Sequence, residues 1–119
     1  MHELPPSQFF PPADDADEDG LIGIGGSLDP DWLLDAYAHG IFPWPMGPEY
    51  PTTWFSPDPR GIIELDHFHV PRRLRRTINS GRFEISMNRS FTEVMRLCAT
   101  GPDREGGVWI TEPMIEAYT

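Results

Sequence analysis

The first sustained pattern along the chain is helical. Asp29-Pro30-Asp31 carries start signals and Gly40 a stop, and between them Trp32, Leu33, Ala36 and Tyr37 recur at i, i+1, i+4 and i+5. Asp29 has the short acceptor side chain that caps free amides, Pro30 suits the first helical position, and Asp31 complements the positive end of the helix dipole. The spacing predicts an amphipathic helix that packs this face on a core and turns Asp31, Asp35 and His39 toward water. A second helix is predicted after Ser90-Phe91-Thr92-Glu93, a capping-box sequence, with Phe91, Val94, Met95 and Cys98 at i, i+3, i+4 and i+7. A third starts at Thr111 as cap and holds Met114, Ile115, Ala117 and Tyr118. It has barely two turns before Thr119, and helices this short need packing, so the terminus reads as a cut.

Shorter patterns fill the intervals. Leu21-Ile22-Gly23-Ile24-Gly25-Gly26 is a short apolar segment whose glycines allow positive φ or close backbone approach. Gly61-Ile62-Ile63-Glu64-Leu65 reads as a strand, and Pro71 opens a short helix that ends near Asn79-Ser80-Gly81. Phe83, Ile85 and Met87 alternate with Glu84, Ser86 and Asn88, the period of a half-buried strand. From 41 to 60, prolines at 43, 45, 48, 51, 57 and 59 interleave with Phe42, Trp44, Tyr50, Trp54 and Phe55. Proline fixes the backbone and donates no hydrogen bond, so this stretch is predicted to be an ordered irregular connection, neither helix nor central strand, and a rigid mount for aromatic rings. Residues 1–19 are rich in Pro and acids, with Phe9 and Phe10 alone offering burial, and are expected to form an extended, mobile leader. Thr100 to Gly107 reads as a loop leading into Val108-Trp109-Ile110.

Composition changes this picture in two places. The net charge of -10, from nine basic and nineteen acidic residues, argues against a general nucleic-acid binder. The distribution reverses that for one region: residues 1–31 hold eight acids and no base, and the remainder is nearly balanced. Every cation is Arg, and Arg72, Arg73, Arg75 and Arg76 fall on the short helix, where 72, 75 and 76 share a face. Guanidinium groups are shaped for phosphate, so this cluster is a candidate RNA-backbone contact, weighed against a plain solvated helix surface. The single cysteine, Cys98, cannot form an intrachain disulfide; its place in an apolar stripe suggests a small buried hydrophobe and a reducing compartment. With neither a secretory signal nor an apolar run able to span a bilayer, the chain reads as cytoplasmic, soluble and without a membrane partner. Its 119 residues suffice for one compact domain, or for one small domain and the opening of a second.

Candidate chemistry is sparse. An indole on a rigid Pro-rich loop, as at Trp44, suits stacking on a nucleobase, though large aromatics also serve plain core packing. Tyr37, Trp109 and Tyr118 fit an apolar helix face or core strand as readily as a binding wall. His67-x-His69 has no accompanying set of Cys or carboxylates at ligand spacing, so no metal site is expected. Gly23-Ile24-Gly25-Gly26 lacks the Lys-Ser/Thr of a phosphate-binding loop and reads as packing glycine. Ser56 and Cys98 have no nucleophile context, and the acids from Asp14 to Asp19 read as a solvated run.

A collinear series of motifs is more specific than any of these. Phe10-Pro11-Pro12, Gly20-Leu21-Ile22-Gly23-Ile24-Gly25-Gly26-Ser27-Leu28-Asp29-Pro30 and Leu33-Leu34-Asp35-Ala36-Tyr37-Ala38-His39-Gly40-Ile41-Phe42-Pro43-Trp44 resemble leucyl/phenylalanyl-tRNA–protein transferases. Trp54-Phe55-Ser56-Pro57-Asp58-Pro59-Arg60, His69-Val70, Cys98-Ala99, Trp109-Ile110 and Glu116-Ala117-Tyr118 continue the match in order. Ser27, Phe55 and Pro71 depart from the family, which usually has an acid, a second Trp and a small polar residue there.

The resemblance implies an α+β fold: after a leader over 1–19, a small N-terminal α/β domain over 20–58, then the incomplete beginning of an acetyltransferase-like α/β domain over 59–119. It implies a bacterial cytoplasmic aminoacyltransferase that needs no cofactor. Such an enzyme moves Leu or Phe from aminoacyl-tRNA to the N-terminal Arg or Lys of proteins and so marks them for degradation. Trp44 is implied to hold the 3′-terminal adenosine, with Tyr37, Trp109 and Tyr118 near the substrate cleft. Catalytic groups and the aminoacyl pocket are expected beyond Thr119. A noncatalytic tRNA-binding or adaptor module is the alternative.

Overall fold

A computed structural model describes residues 3–101 and 109–119. The chain divides into two compact units, one made of Met1–Asp58 with Phe91–Thr119, the other of Pro59–Ser90. The mixture of short antiparallel sheet and helices is the α+β class expected of the sequence.

The first unit is built on a three-stranded antiparallel sheet of β1 (Leu21–Ile24), β2 (Phe42–Trp44) and β3 (Thr53–Phe55), in the order β1-β3-β2. This corrects the expectation of irregular structure over 41–60, since β3 is the central strand. The prolines bracket the strands: Pro51 and Pro57 flank β3, which contains none, and Pro43 lies on edge strand β2 opposite Trp54, where its missing amide is tolerated. The β1–β3 register slips between Leu21 and Gly23, an irregularity that re-aims the edge of the sheet.

Helix α1 (Pro30–Ala38) follows β1 and covers the sheet. Pro30 is its first residue as expected, but the Asp29 side chain makes no capping bond. Its end is a Schellman motif: Gly40 takes φ 73°, its amide reaches the Tyr37 carbonyl at 3.3 Å, and the Ile41 amide reaches the Ala36 carbonyl at 2.9 Å. The turn delivers Ile41 into the core and starts β2.

The core gathers Phe10, Leu33, Ala36, Ile41 and Trp54, with Trp32, Ile22 and Leu28 packed against it. Trp54 is fully buried and donates its indole N–H to the Gly25 carbonyl at 2.8 Å. Gly26 adopts φ 79° under Trp32; a Cβ there would lie 2.6 Å from the ring. Two expectations for the leader change. Phe9 stacks on Trp32 at 4.3 Å and Phe10 enters the core, so the arm is anchored. Asp35 and His39, expected to face water, are partly buried because they bind that arm.

Helix α4 (Glu112–Tyr118) closes the unit, capped as expected by the Thr111 hydroxyl accepting from the Met114 amide. It buries Met114 and Ile115 and packs Ala117 and Tyr118 on the core. Helix α3 (Phe91–Thr100) is tied to it by a bidentate ion pair from Arg96 to Glu112, at 2.8 and 3.1 Å. The apolar stripe of α3 is not a buried face: Phe91, Val94 and Cys98 are exposed, which corrects the expectation for Cys98. The loop expected before Val108-Trp109-Ile110 lies outside the described residues from 102 to 108.

In the second unit α2 (Arg72–Asn79) has the predicted extent, with Gly81 at φ 73° beyond its end. The two predicted strands do not form. Residues 61–64 are irregular, Leu65–His67 is a 3-10 turn, and Phe83, Ile85 and Met87 are all exposed. Alternation selects a strand only where a partner supplies the ladder, and neither segment pairs with a described strand.

Candidate functional site

The aromatic residues singled out in the sequence come together in two pairs within the first unit. Trp44, at the end of β2, lies parallel to Trp109, with ring centroids 5.1 Å apart and planes inclined by 11°. Both rings remain open to solvent, at 40% and 41% exposure. Phe42 meets Trp44 edge-on from the same strand. The backbone of Trp44 is pinned from the neighbouring strand, because Thr53 is its register partner and the Thr53 hydroxyl donates to the Trp44 carbonyl. The Pro-rich stretch thus mounts Trp44 rigidly, but through strand pairing and not through irregular chain.

Tyr37 and Tyr118 make the second pair. Their hydroxyls are 2.6 Å apart and their rings meet edge to face at 6.0 Å, joining α1 to α4. Burial, then the bond to Tyr37, pushes the Tyr118 hydroxyl far above the ordinary tyrosine range. It is a neutral hydrogen-bonding group at any working pH.

An open cavity of about 250 Å³ adjoins these elements. Pro43 and Pro45, the neighbours of Trp44 in sequence, form one wall, and Thr111 and Met114 at the start of α4 form another. The residue that sequence reasoning missed is the one that holds the Trp44 backbone, Thr53. Thr53 could have been found only by knowing that β2 and β3 pair.

In the second unit, Arg72, Arg73, Arg75 and Arg76 are all exposed on α2. None of them forms an ion pair with a described residue. The structure therefore brings the four aromatics into one unit and leaves the four arginines together in the other. His67 is engaged by Glu64, Nδ1 to Oε2 at 2.7 Å, and no group of three or more candidate metal ligands occurs among the described residues. No described helix is long and apolar enough to cross a membrane.

Comparison with known proteins matches this chain to one family in two consecutive pieces. Residues 26–58 match the leucyl/phenylalanyl-tRNA protein transferase N-terminal domain, and residues 62–119 match the leucyl/phenylalanyl-tRNA protein transferase family proper. A leucyl/phenylalanyl-tRNA–protein transferase of Nitratidesulfovibrio vulgaris (strain DP4) is 48% identical over 112 residues, covering 93% of this chain and 47% of the relative. That of Anaeromyxobacter sp. (strain Fw109-5) is 47% identical over 120 residues, covering 99% and 50%. That of Syntrophotalea carbinolica is 43% identical over 119 residues, covering 99% and 51%. The chain spans about half the length of the curated relatives it matches. It belongs to the leucyl/phenylalanyl-tRNA–protein transferase family.

Proposed function

We propose that this chain is the tRNA-facing part of a cytoplasmic aminoacyltransferase that moves Leu or Phe from aminoacyl-tRNA to the N-terminal Arg or Lys of a protein, marking that protein for degradation. The observation that carries the reading is the solvent-open stack of Trp44 on Trp109, held from behind by Thr53. The indoles already lie face to face, so a nucleobase docks on an outer face and lengthens the stack. That base is the 3′-terminal adenine, whose ribose carries the aminoacyl ester.

Tyr37 and Tyr118 then wall the site as a hydrogen-bonded pair, in which Tyr118 holds its proton too firmly to act as a base. The arginines of α2 bind backbone phosphates, which adds affinity without sequence choice. In the reaction the acceptor's amino nitrogen attacks the ester carbonyl, the bond to the ribose oxygen breaks, and the proton lost by nitrogen ends on that oxygen. The ester is already activated, so positioning the two substrates supplies most of the acceleration and no cofactor is called for. The groups that assist the amine and pocket the aminoacyl side chain are assigned to the part of the relatives outside this chain.

Transfer of radiolabelled Leu or Phe from charged tRNA to an Arg-initiated peptide tests the reading, with this chain joined to the second half of a relative. Transfer that Trp44→Ala abolishes supports it; transfer indifferent to Trp44 overturns the assignment. A second reading, a noncatalytic tRNA-binding module, rests on the chain spanning about half the relatives' length. Salt-sensitive tRNA binding by this chain, with no transfer in the joined form, would select it.

A further inference from the structure

The segment ahead of β1 is tied to α1 by contacts outside the two aromatic pairs. Asp35 accepts three hydrogen bonds from it: from Ser7 Oγ at 2.6 Å, from the Gln8 amide at 3.2 Å and from the Phe9 amide at 3.2 Å. One turn further along α1, His39 stands between two carbonyl oxygens. Its Nδ1 is 2.7 Å from the Asp35 carbonyl and its Nε2 is 2.7 Å from the Pro5 carbonyl.

A carbonyl oxygen accepts and never donates, and a neutral imidazole has one N–H. A neutral ring therefore satisfies one of these contacts and sets a bare nitrogen lone pair against an oxygen in the other. Only the imidazolium fills both. The Asp35 carboxylate, 3.5 Å from Nδ1 on the same helix, adds attraction to the charged form. From the arm the groups at hand are the Pro5 carbonyl and the Ser7 hydroxyl, neither of which titrates; among the described residues no other charged side chain pairs with the ring.

We propose that His39 is a proton-operated latch: when protonated it clamps the Pro5 end of the arm to α1, and when it loses that proton residues 4–6 swing free while Asp35 keeps Ser7 to Phe9 in place. The release is local because the anchors are of two kinds. Phe10 is buried in the core, Phe9 is stacked on Trp32, and both lie behind the Asp35 contacts, whereas Leu4, Pro5 and Pro6 are exposed. An open cavity bounded by Leu4, Pro6, Phe10 and Ala38 gives those first residues room to move. The direction follows from linkage. The clamped state holds His39 above its ordinary value, chiefly through the Pro5 and Asp35 carbonyls, so the arm is closed at low pH and opens as pH rises through that raised midpoint. The closing constant changes by ~10-fold for each unit separating the clamped and free midpoints.

The test is a pH titration of the isotopically labelled full chain by NMR, following the His39 ring and the amides of Leu4, Gln8 and Phe9. The expected result is a His39 midpoint above the ordinary histidine value, with the Leu4 amide shifting at that same midpoint while Gln8 and Phe9 barely move. In His39→Phe the Leu4 amide sits at its high-pH position throughout. A Leu4 amide that stays flat across the His39 titration overturns the latch, as does a His39 midpoint at or below the ordinary value. Both of these readouts come from the unaltered chain, so they decide the matter even if the variant fails to fold.

Discussion

Trp44 and Thr53 face each other across the β2–β3 ladder, and the Thr53 hydroxyl donates to the Trp44 carbonyl. The exposed indole that stacks on Trp109 is thus fixed by a residue that need not touch any ligand. Thr53→Val keeps the branched shape of the side chain and removes the donor. It is expected to lower stability by ~0.5–1.5 kcal/mol, the worth of an ordinary hydrogen bond. It also weakens binding of an aminoacyl-adenosine several-fold, by loosening Trp44. Urea unfolding and isothermal calorimetry on the same variant separate the two effects.

The arginines of α2 predict a distinct signature. If Arg72, Arg75 and Arg76 contact phosphates, each Arg→Ala change lowers the slope of log affinity for tRNA against log salt by ~0.7–0.9. Binding of a bare aminoacyl-adenosine, which offers no backbone, stays unchanged. Filter binding at several salt concentrations gives the slope.

Core substitutions separate the scaffold from the site. Trp54→Ala removes the largest fully buried side chain and leaves the Gly25 carbonyl without its donor, and is expected to cost ~3–5 kcal/mol. Gly26→Ala must place a methyl where the Trp32 ring stands and holds a left-handed backbone besides, so it costs more than the ~1 kcal/mol expected of Gly81→Ala, where the conformation alone is at stake. Chemical denaturation ranks the three.

These positions also show what the sequence discloses. The stop at Gly40, the Pro30 start and the Thr111 cap were legible because each acts on its own neighbours within a turn. Trp44 was legible as an aromatic set between Pro43 and Pro45, though what mounts it lies nine residues on, at Thr53. The pairing of β2 with β3 was not, because proline bars a central strand position but not an edge one such as Pro43 on β2, and no local signal says which stretches will pair. The segments 61–65 and 83–87 err the other way: alternation marks the capacity for a strand, and pairing decides whether it is used. Helical phase alone turns Asp35 and His39 toward solvent. Their partners lie 26 to 34 residues earlier, beyond the reach of any local pattern.

Stability is expected to bend at both ends of the pH scale. Burial raises the Asp35 carboxyl, but the bonds from Ser7, Gln8 and Phe9 and the nearby His39 outweigh it, leaving the group below its ordinary value. A depressed acid stabilises the fold above its unfolded value, and that contribution is lost as pH falls through the folded one. Asp35→Asn should therefore be less stable than the parent at neutral pH, with the gap narrowing toward pH ~3. Tyr118 has the opposite sign: raised by burial and by Tyr37, it stabilises the fold below the ordinary tyrosine value and withdraws that support as pH rises past it. Tyr118→Phe should flatten the alkaline side, as thermal melts across the range would record.

The most direct test of the stack as the adenosine platform is to titrate this chain with a stable amide analogue of 3′-phenylalanyl-adenosine while watching the four indole N–H resonances. The signals of Trp44 and Trp109 should shift together and saturably, with Trp54 unmoved and the response abolished by Trp44→Ala. Saturable binding that leaves Trp44 and Trp109 unshifted, or that survives Trp44→Ala intact, would contradict the assignment.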